Sequence, residues 1–323
     1  MSKLKLVAAI VAAMLVVAVV AVIAFKAGQK STSSTQPEVQ AGITVEEGGE
    51  TVKPFNYQAP LPVDGKLKGV VELGSTGFNS FIINMDKNKN WKLEKAEFGA
   101  SGVLEGNSSE EDVLRKLKNY IKGIIDSGVK GSNIHFVVSS GAQKNEAVIT
   151  IISALKKIGY VVNSVTPEKE GEYALKCVLP KQYETKSFVV DMGSGNTKIS
   201  WMSKGKIDAL ETYGAKYYQE SISVQAAYQA VSAVIKSVPK ANREVCFIIG
   251  GVPFQMAKQD RVEKERYTAL RSEQAYVSDK FADDKSQAGL NIYKAIREAT
   301  GCKTFVFDWD ANFSIGFLLS IPF

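Results

Sequence analysis

The chain has 323 residues, of which 45% are hydrophobic and 23% are charged, and its formal net charge at pH 7 is +6. This composition indicates a globular protein long enough for two domains, and it excludes a wholly disordered chain. The positive charge forms no basic run and has no accompanying set of stacking aromatic residues, so no binding of nucleic acid is expected. The single histidine excludes a metal cluster built from several histidines, and the three scattered cysteines offer no disulfide framework.

The N-terminal segment predicts a membrane anchor. Leu6–Phe25 is uncharged and almost wholly apolar, which is enough to cross a bilayer at about 1.5 Å per residue. We therefore expect an uncleaved anchor over residues 1–26 that contacts the lipid bilayer, with cleavage near Ala27 as the alternative. A short basic N-terminus usually stays in the cytoplasm and places the body outside, although Lys26 and Lys30 weaken this contrast.

The residues after the anchor divide the chain further. Residues 27–65 are rich in Ser, Thr, Gln, Glu, Gly and Pro and show little periodicity, as is typical of a flexible tether. The remaining residues predict two α/β domains, residues 66–186 and residues 187–323.

One motif occurs twice, in Gly69–Ile83 and in Phe188–Trp201. Each copy is an apolar run that ends in a carboxylate, then a turn of small residues and a second alternating run, which predicts a β-hairpin. A single copy fits an ordinary Gly-rich hairpin equally well, and the duplication favours a phosphate clamp in which backbone with positive φ approaches an anion. The glycines of the two turns are Gly74, Gly77, Gly193 and Gly195, and the polar neighbours expected to bind phosphate are Ser75, Thr76, Ser194, Asn196 and Thr197. The two strand-end carboxylates, Glu72 and Asp191, are candidate metal ligands.

Strands and helices alternate after each hairpin. In the first half the patterns predict strands Trp91–Phe98, Ile134–Ser139 and Tyr160–Val165, a helix from the capping box at Ser108, and helices Glu146–Ile158 and Glu168–Leu179. In the second half they predict strands Lys206–Glu211, Val245–Ile249 and Thr304–Phe307 and helices Ser221–Ser237, Lys285–Thr300 and Asn312–Ser320. Gly250 and Gly251 end a strand before a helix, which lets backbone amides face a ligand. The mixed-charge stretch Lys258–Arg271 is interpreted as a solvated helical face.

A duplicated βββαβα unit is the plan of the superfamily of acetate and sugar kinases, Hsp70 and actin. Within it, the chain resembles the exopolyphosphatase and guanosine pentaphosphate phosphohydrolase family from Gly69 to Leu319. The segments that carry the resemblance are the first loop Glu72–Phe78, the helix start Thr166–Ala174, the second loop Asp191–Thr197, the glycine pair Gly250–Gly251 and the closing segment Ser314–Leu319.

The resemblance implies polyphosphate or a nucleoside polyphosphate bound between the two halves. It also implies Mg²⁺ held by Glu72 and Asp191, with Glu170 as the base that activates water for attack on the terminal phosphorus. Three residues depart from the family pattern: Glu72 replaces an aspartate, Lys198 replaces a glutamate, and Gln143 replaces an arginine.

Two functions therefore stay open. The first is a membrane-anchored phosphoanhydride hydrolase, and the second is a catalytically degraded protein that binds a phosphorylated ligand or serves as an assembly scaffold; a filament-forming ATPase is a third reading. Glu170 also fits a purely structural role, in which its negative charge in the first turn interacts favourably with the helix dipole. Lys198 either substitutes for the lost cation or points to solvent, and the sequence leaves open whether the body forms a homodimer.

Overall fold

The computed structural model describes residues 52–74, 77–99 and 109–323. The predicted anchor and most of the predicted tether lie outside these residues, as do Ser75 and Thr76 of the first predicted phosphate loop. Within the described ranges, no helix is both long and apolar enough to cross a bilayer.

The first half is built on a five-stranded sheet in the order β3-β2-β1-β4-β5. Its strands are β1 (Lys66–Gly74), β2 (Gly77–Met85), β3 (Trp91–Glu97), β4 (Ile134–Val138) and β5 (Val162–Ser164). Strand β1 pairs antiparallel with β2 and parallel with β4. Its middle residues are buried on both faces, because helices cover both sides of the sheet.

The second half repeats this arrangement and adds one edge strand. The sheet order is β10-β11-β9-β6-β7-β8, so that β8-β7-β6-β9-β11 corresponds to β3-β2-β1-β4-β5. The strands are β6 (Ser187–Met192), β7 (Asn196–Ser203), β8 (Lys206–Tyr213), β9 (Val245–Gly250), β10 (Tyr267–Leu270) and β11 (Thr304–Asp308). The α/β fold from a duplicated unit is therefore confirmed.

The interpretation of Lys258–Arg271 as one helical face is wrong. This stretch holds the end of a helix, a turn and the edge strand β10, in which Tyr267, Thr268 and Leu270 are buried. Pairing with β11 and burial of these side chains outweigh the helix propensity of the charged residues around them.

Seven helices are described in residues 109–323: α1 (Glu110–Asp126), α2 (Glu146–Lys157), α3 (Pro167–Val178), α4 (Val224–Ile235), α5 (Gly251–Asp260), α6 (Asp284–Thr300) and α7 (Phe313–Ser320). All except α5 begin after a polar N-cap residue whose side chain accepts a hydrogen bond from a first-turn amide. The N-cap of α1 is Ser109, one residue after the predicted start. The six helix starts predicted from the sequence are therefore correct to within three residues.

The two halves exchange their last helices, which differs from the predicted domain boundaries. Helix α3 packs against β6, β7 and β8 of the second half, whereas α7 packs against β1 of the first half and crosses α3. Helix α7 is buried on all sides from Phe313 to Leu319. The last residues also bind the first half, since the Lys68 ammonium donates to the Pro322 carbonyl at 2.6 Å.

The end of the predicted tether packs on the body. The Phe55 ring lies 5.5 Å from the Phe247 ring and 5.9 Å from the Tyr267 ring, and Tyr57 lies 5.4 Å from Tyr267. The Val63 amide donates to Asp86 at 3.1 Å. The free part of the tether therefore ends before residue 55 rather than at residue 65.

Candidate functional site

The two predicted hairpins place matching residue pairs at the ends of β1 and β6. Glu72 on β1 is directly opposite Asn79 on β2, and Asp191 on β6 is directly opposite Lys198 on β7. Side chains that are directly opposite in an antiparallel pair lie on the same face and contact each other. The hairpin register thus directs the Lys198 side chain inward, alongside Asp191, rather than to solvent.

Lys198 lies among three carboxylates, and we call Glu72, Glu170, Asp191 and Lys198 the carboxylate–lysine cluster. The Lys198 ammonium is 2.5 Å from Glu170 Oε2, and the two side chains are only 9% and 1% exposed. Burial lowers the pKa of Lys198, but the three carboxylates outweigh this effect and raise the pKa above its ordinary value. Lys198 is therefore charged at neutral pH.

Glu170, the predicted base, has both of its carboxylate oxygens engaged. Oε1 accepts from the Ser140 amide at 2.5 Å, and Oε2 contacts the Lys198 ammonium. The residue has no exposed surface. A general base must reach the proton that it removes, whereas Glu170 is fully buried and its carboxylate is paired with an ammonium.

Glu72 joins the first hairpin to the start of α7. Its Oε2 accepts from the side-chain amides of Asn79 at 3.0 Å and Asn312 at 3.1 Å. Asn312 in turn accepts from the Ser314 amide at 2.8 Å and caps α7. Burial raises the pKa of Glu72, and Asp191 and Glu170 raise it further. Glu72 therefore has a structural role at the contact between the hairpin and the exchanged helix.

The cluster does not fit a divalent metal ion. Burial raises the pKa of Asp191, an effect that Lys198 partly offsets, and a divalent cation beside Asp191 would be repelled by that ammonium. The ammonium of Lys198 already lies among the carboxylates. In the described ranges, no group of three or more acidic, histidine or cysteine side chains is arranged to hold a metal.

The second predicted phosphate loop is held by the segment that follows β8. The carbonyls of Gly193 and Ser194 accept from the amides of Ala215 and Lys216 at 2.9 Å, and the Gly195 carbonyl accepts from Gly214 at 3.2 Å. Ser194 and Gly195 are exposed. Their own amides have no acceptor within the described part of the chain, so they remain available to an anion.

The glycines of the loops differ in what they permit. Of the four turn glycines only Gly77 has a positive φ, at 152°, so the expectation of positive φ is wrong for Gly74, Gly193 and Gly195. A Cβ at Gly193 would lie 2.7 Å from the Asn196 carbonyl oxygen and 3.5 Å from the Lys198 Nζ, whereas a Cβ at Gly195 would meet nothing within 4 Å. Close packing therefore requires glycine at position 193 and backbone conformation favours it at position 77, whereas position 195 has room for a side chain.

The other two polar residues of the second loop do not offer a free donor at the surface. Thr197 is fully buried, and the Asn196 amide donates to Glu211 at 2.8 Å. Neither side chain is free to bind phosphate in this arrangement.

The glycine pair before α5 lies beside a lysine that sequence reasoning missed. Gly250 has a φ of +117°, and a Cβ there would lie 2.2 Å from the Met192 carbonyl oxygen. A Cβ at Gly251 would lie 3.5 Å from the Lys285 Nζ. Lys285 is in the first turn of α6, where a cation opposes the helix dipole, and that unfavourable position was the signal for a second role.

Comparison with solved structures identifies the fold. The TM-score to the Aquifex aeolicus PPX-GPPA enzyme is 0.60, with 17% identity over 80% of this chain and 100% of that chain. The chain has the fold of the Ppx/GppA enzymes. The TM-score to an exopolyphosphatase from Cytophaga hutchinsonii is 0.58, with 12% identity over 78% of this chain and 96% of that chain. No protein-family model and no curated protein sequence matches the chain.

The Ppx/GppA resemblance inferred from the motifs is thus confirmed for the fold, and the departures can be judged by their contacts. Lys198 points into the site and neutralises Glu170. Gln143, at the position of the expected arginine, donates to the Val165 carbonyl at 2.6 Å and stabilises the start of α3. Identities this low establish the fold alone, so the activity has to be argued from the site.

Proposed function

We propose that this protein binds a phosphate-bearing ligand between its two halves and does not hydrolyse it. The buried ion pair between Lys198 and Glu170 carries this proposal. It neutralises the only carboxylate that the sequence assigned as a base, and it puts an ammonium group where the family resemblance implies a metal. Breaking a buried pair costs several kcal/mol, about 3 to 5, so catalysis through Glu170 would have to overcome that cost.

Two lysines and two free amides support the anion site. The ammonium groups of Lys198 and Lys285 lie next to Gly193 and Gly251, one at each glycine loop of the second half. The free amides of Ser194 and Gly195 add donors. Fixed cations and backbone donors of this kind bind phosphate without a metal ion. The Lys198 ammonium also offsets part of the negative charge of the three carboxylates, which would otherwise repel a phosphate.

We also propose that Leu6–Phe25 anchors the protein and that the body lies outside the cytoplasm, where polyphosphate is a more accessible ligand than a cytosolic nucleotide. The hydropathy of this segment and the basic residues before it support this topology. Protease treatment of intact cells tests it: we expect cleavage in residues 27–51, and full protection would place the body in the cytoplasm.

Binding and turnover of a soluble phosphate chain separate the two functions. We would titrate tripolyphosphate into the full-length protein in neutral detergent, with magnesium and with EDTA, and measure phosphate release in parallel. We expect binding that does not require magnesium, and no release above the rate without protein. Lys285→Gln should weaken binding about tenfold, because a charge-assisted contact is lost, while Lys236→Gln, an exposed lysine elsewhere, should have no effect.

The hydrolase would show a different pattern. Magnesium-dependent phosphate release that Glu170→Gln lowers by at least about 100-fold, with affinity retained, would establish Glu170 as the base and overturn the proposal. If tripolyphosphate binds neither with magnesium nor with EDTA, the proposed anion site is wrong and only the scaffold role remains.

A further inference from the structure

A second cluster of lysines lies at the start of β1, at the opposite end of that strand from Glu72. A cavity of about 420 Å³ is lined there by Lys66, Lys68, Lys130, Ser132, Asn133 and Phe323, among others. We call it the lysine pocket. Since β1 rises about 3.3 Å per residue, its first and last residues are roughly 26 Å apart, and the lysine pocket is separate from the carboxylate–lysine cluster.

The lysines of the lysine pocket form no ion pair with an acidic side chain of the described residues. Lys68 is only 4% exposed, and its ammonium donates to the Pro322 carbonyl. The Lys66 ammonium lies 4.3 Å from the centre of the Phe323 ring. Neither these two lysines nor Lys130 forms an ion pair with any part of the chain that the structure describes. A buried lysine without a carboxylate is rare, because desolvation of its charge is expensive.

The lysines also repel one another. Burial lowers the pKa of Lys68, and Lys89 and Lys66 lower it further. Lys89 donates to the Ile321 carbonyl at 2.5 Å, which holds a fourth cation beside the pocket. Of the nearby acids, Asp86 accepts from the amides of Val63 and Asn90, and Asp64 is exposed on the preceding turn. No acidic side chain of the described residues therefore offsets the positive charge of the pocket.

We propose that the lysine pocket binds a phosphate-type anion. Lys66 and Lys130 are exposed and can close on a phosphate from two sides, while Lys68 supplies a fixed charge at the base and Ser132 and Asn133 add polar side chains. The pocket binds its ligand independently of the proposed ligand site between the two halves, because the two sites share no residue.

The anion has two candidate sources. An anionic lipid headgroup and a soluble polyphosphate carry the same phosphate chemistry. A lysine near an anionic bilayer surface contributes about 1 kcal/mol of binding, or roughly a five-fold change in affinity.

Residue-resolved acylation of lysines tests the site in the full-length protein. We would measure by mass spectrometry the acylation rates of Lys66 and Lys130, with Lys236 and Lys240 as exposed controls on the second half. One arm uses the protein in neutral detergent with and without tripolyphosphate. The other uses nanodiscs of phosphatidylcholine with and without phosphatidylglycerol. We expect the rates at Lys66 and Lys130 to fall at least about five-fold in one arm and the control rates to stay constant.

Each outcome decides the proposal. Protection by tripolyphosphate identifies a soluble ligand, and protection by phosphatidylglycerol identifies the membrane surface. If neither tripolyphosphate nor phosphatidylglycerol lowers the acylation rates of Lys66 and Lys130, the proposed site is wrong. Because the readout is local, loss of phosphate binding between the two halves would leave this result unchanged. In the wild type we also expect ligand-dependent protection of Lys89, which lies beside the pocket. The double variant Lys66→Gln and Lys130→Gln should lose this protection of Lys89, whereas Lys236→Gln with Lys240→Gln should keep it.

Discussion

At the scale of single residues, the duplication makes the role of Lys198 clear. The two hairpins share a register, and the residue opposite the strand-end carboxylate is Asn79 in the first hairpin and Lys198 in the second. An amide can only hydrogen-bond Glu72, whereas an ammonium also compensates the charges of Asp191 and Glu170. The second hairpin thus contains its own cation, which offsets part of the negative charge of the cluster.

The ion pair of Lys198 should contribute far more to stability than an exposed pair of similar length. Lys198→Met should lower the free energy of unfolding by about 3 to 5 kcal/mol, because it leaves buried carboxylates uncompensated. Lys169→Met breaks the 2.6 Å pair with Glu172, where the lysine is 53% exposed, and should cost at most about 1 kcal/mol. Urea denaturation measures both, and equal losses would show that Lys198 is not a structural cation.

The cost of Lys198→Met should also depend on pH. Lys198 lowers the pKa of Asp191, so its removal raises the folded-state pKa of that carboxyl further above the unfolded value. Such a group stabilises the fold at low pH, and this contribution is lost as pH rises from about 4, the unfolded value, through the folded pKa. We therefore expect a smaller deficit at pH 4.5 than at pH 8 in urea denaturation. A deficit that is the same at both pH values would contradict this.

At the scale of secondary-structure elements, glycine allows the exchanged helices to cross. A Cβ at Gly316 of α7 would lie 1.8 Å from the Tyr173 carbonyl oxygen of α3, and a Cβ at Gly171 of α3 would lie 3.3 Å from the Ala209 Cβ on β8. The backbones therefore approach more closely than any side chain permits. This approach positions α3, and with it Glu170, against Lys198.

Gly316→Ala should destabilise the protein although alanine favours helices. The added methyl meets backbone and forces α3 and α7 apart, which we expect to cost about 1 to 3 kcal/mol or more. Gly123→Ala in α1 is the matched control, since a Cβ there meets nothing within 4 Å and should stabilise the helix by up to about 1 kcal/mol. Thermal unfolding should show a lower Tm for Gly316→Ala and a higher Tm for Gly123→Ala than for the wild type. A Gly316→Ala variant as stable as the wild type would mean that α3 and α7 can move apart without loss of stability.

At the scale of the whole molecule, contacts distant from the proposed ligand site join the two halves. Residues 54–63, the N-terminal strap, place Phe55 against the second half and Val63 against Asp86 of the first. Arg266 spans the same boundary, with its guanidinium 4.3 Å from the Trp91 ring centre and 3.1 Å from Asp308. The halves are thus joined by more than the exchanged helices.

The N-terminal strap should stabilise the body. Phe55→Ala removes a half-buried ring from three aromatic neighbours and should lower the free energy of unfolding by about 1 to 3 kcal/mol. Phe98→Ala is the control, because Phe98 is 69% exposed and should change stability by less than about 1 kcal/mol. Chemical denaturation of both variants tests this, and a Phe55→Ala protein as stable as the wild type would show that the strap contributes nothing.

Much of the fold could be predicted from the sequence, because its signals are local. The apolar alternation around Glu72 and Asp191 and the apolar spacing along the helices act over a few residues, so they located the hairpins and most elements. The strand β10 was missed because its burial depends on a distant partner, β11. The exchange of α3 and α7 was also missed, since amphipathicity shows that a helix is covered but not by which sheet.

The candidate site shows the same division between local and tertiary information. By itself the sequence determined the duplicated fold, the loops and the residues that depart from the family pattern. Only the tertiary structure decided that Lys198 points inward to Glu170, that Gln143 donates to the backbone before α3, and that Lys285 lies beside Gly251. The physical reason is that charge and burial act through space: a lysine is solvated or becomes a fixed counter-ion according to what the rest of the chain places around it.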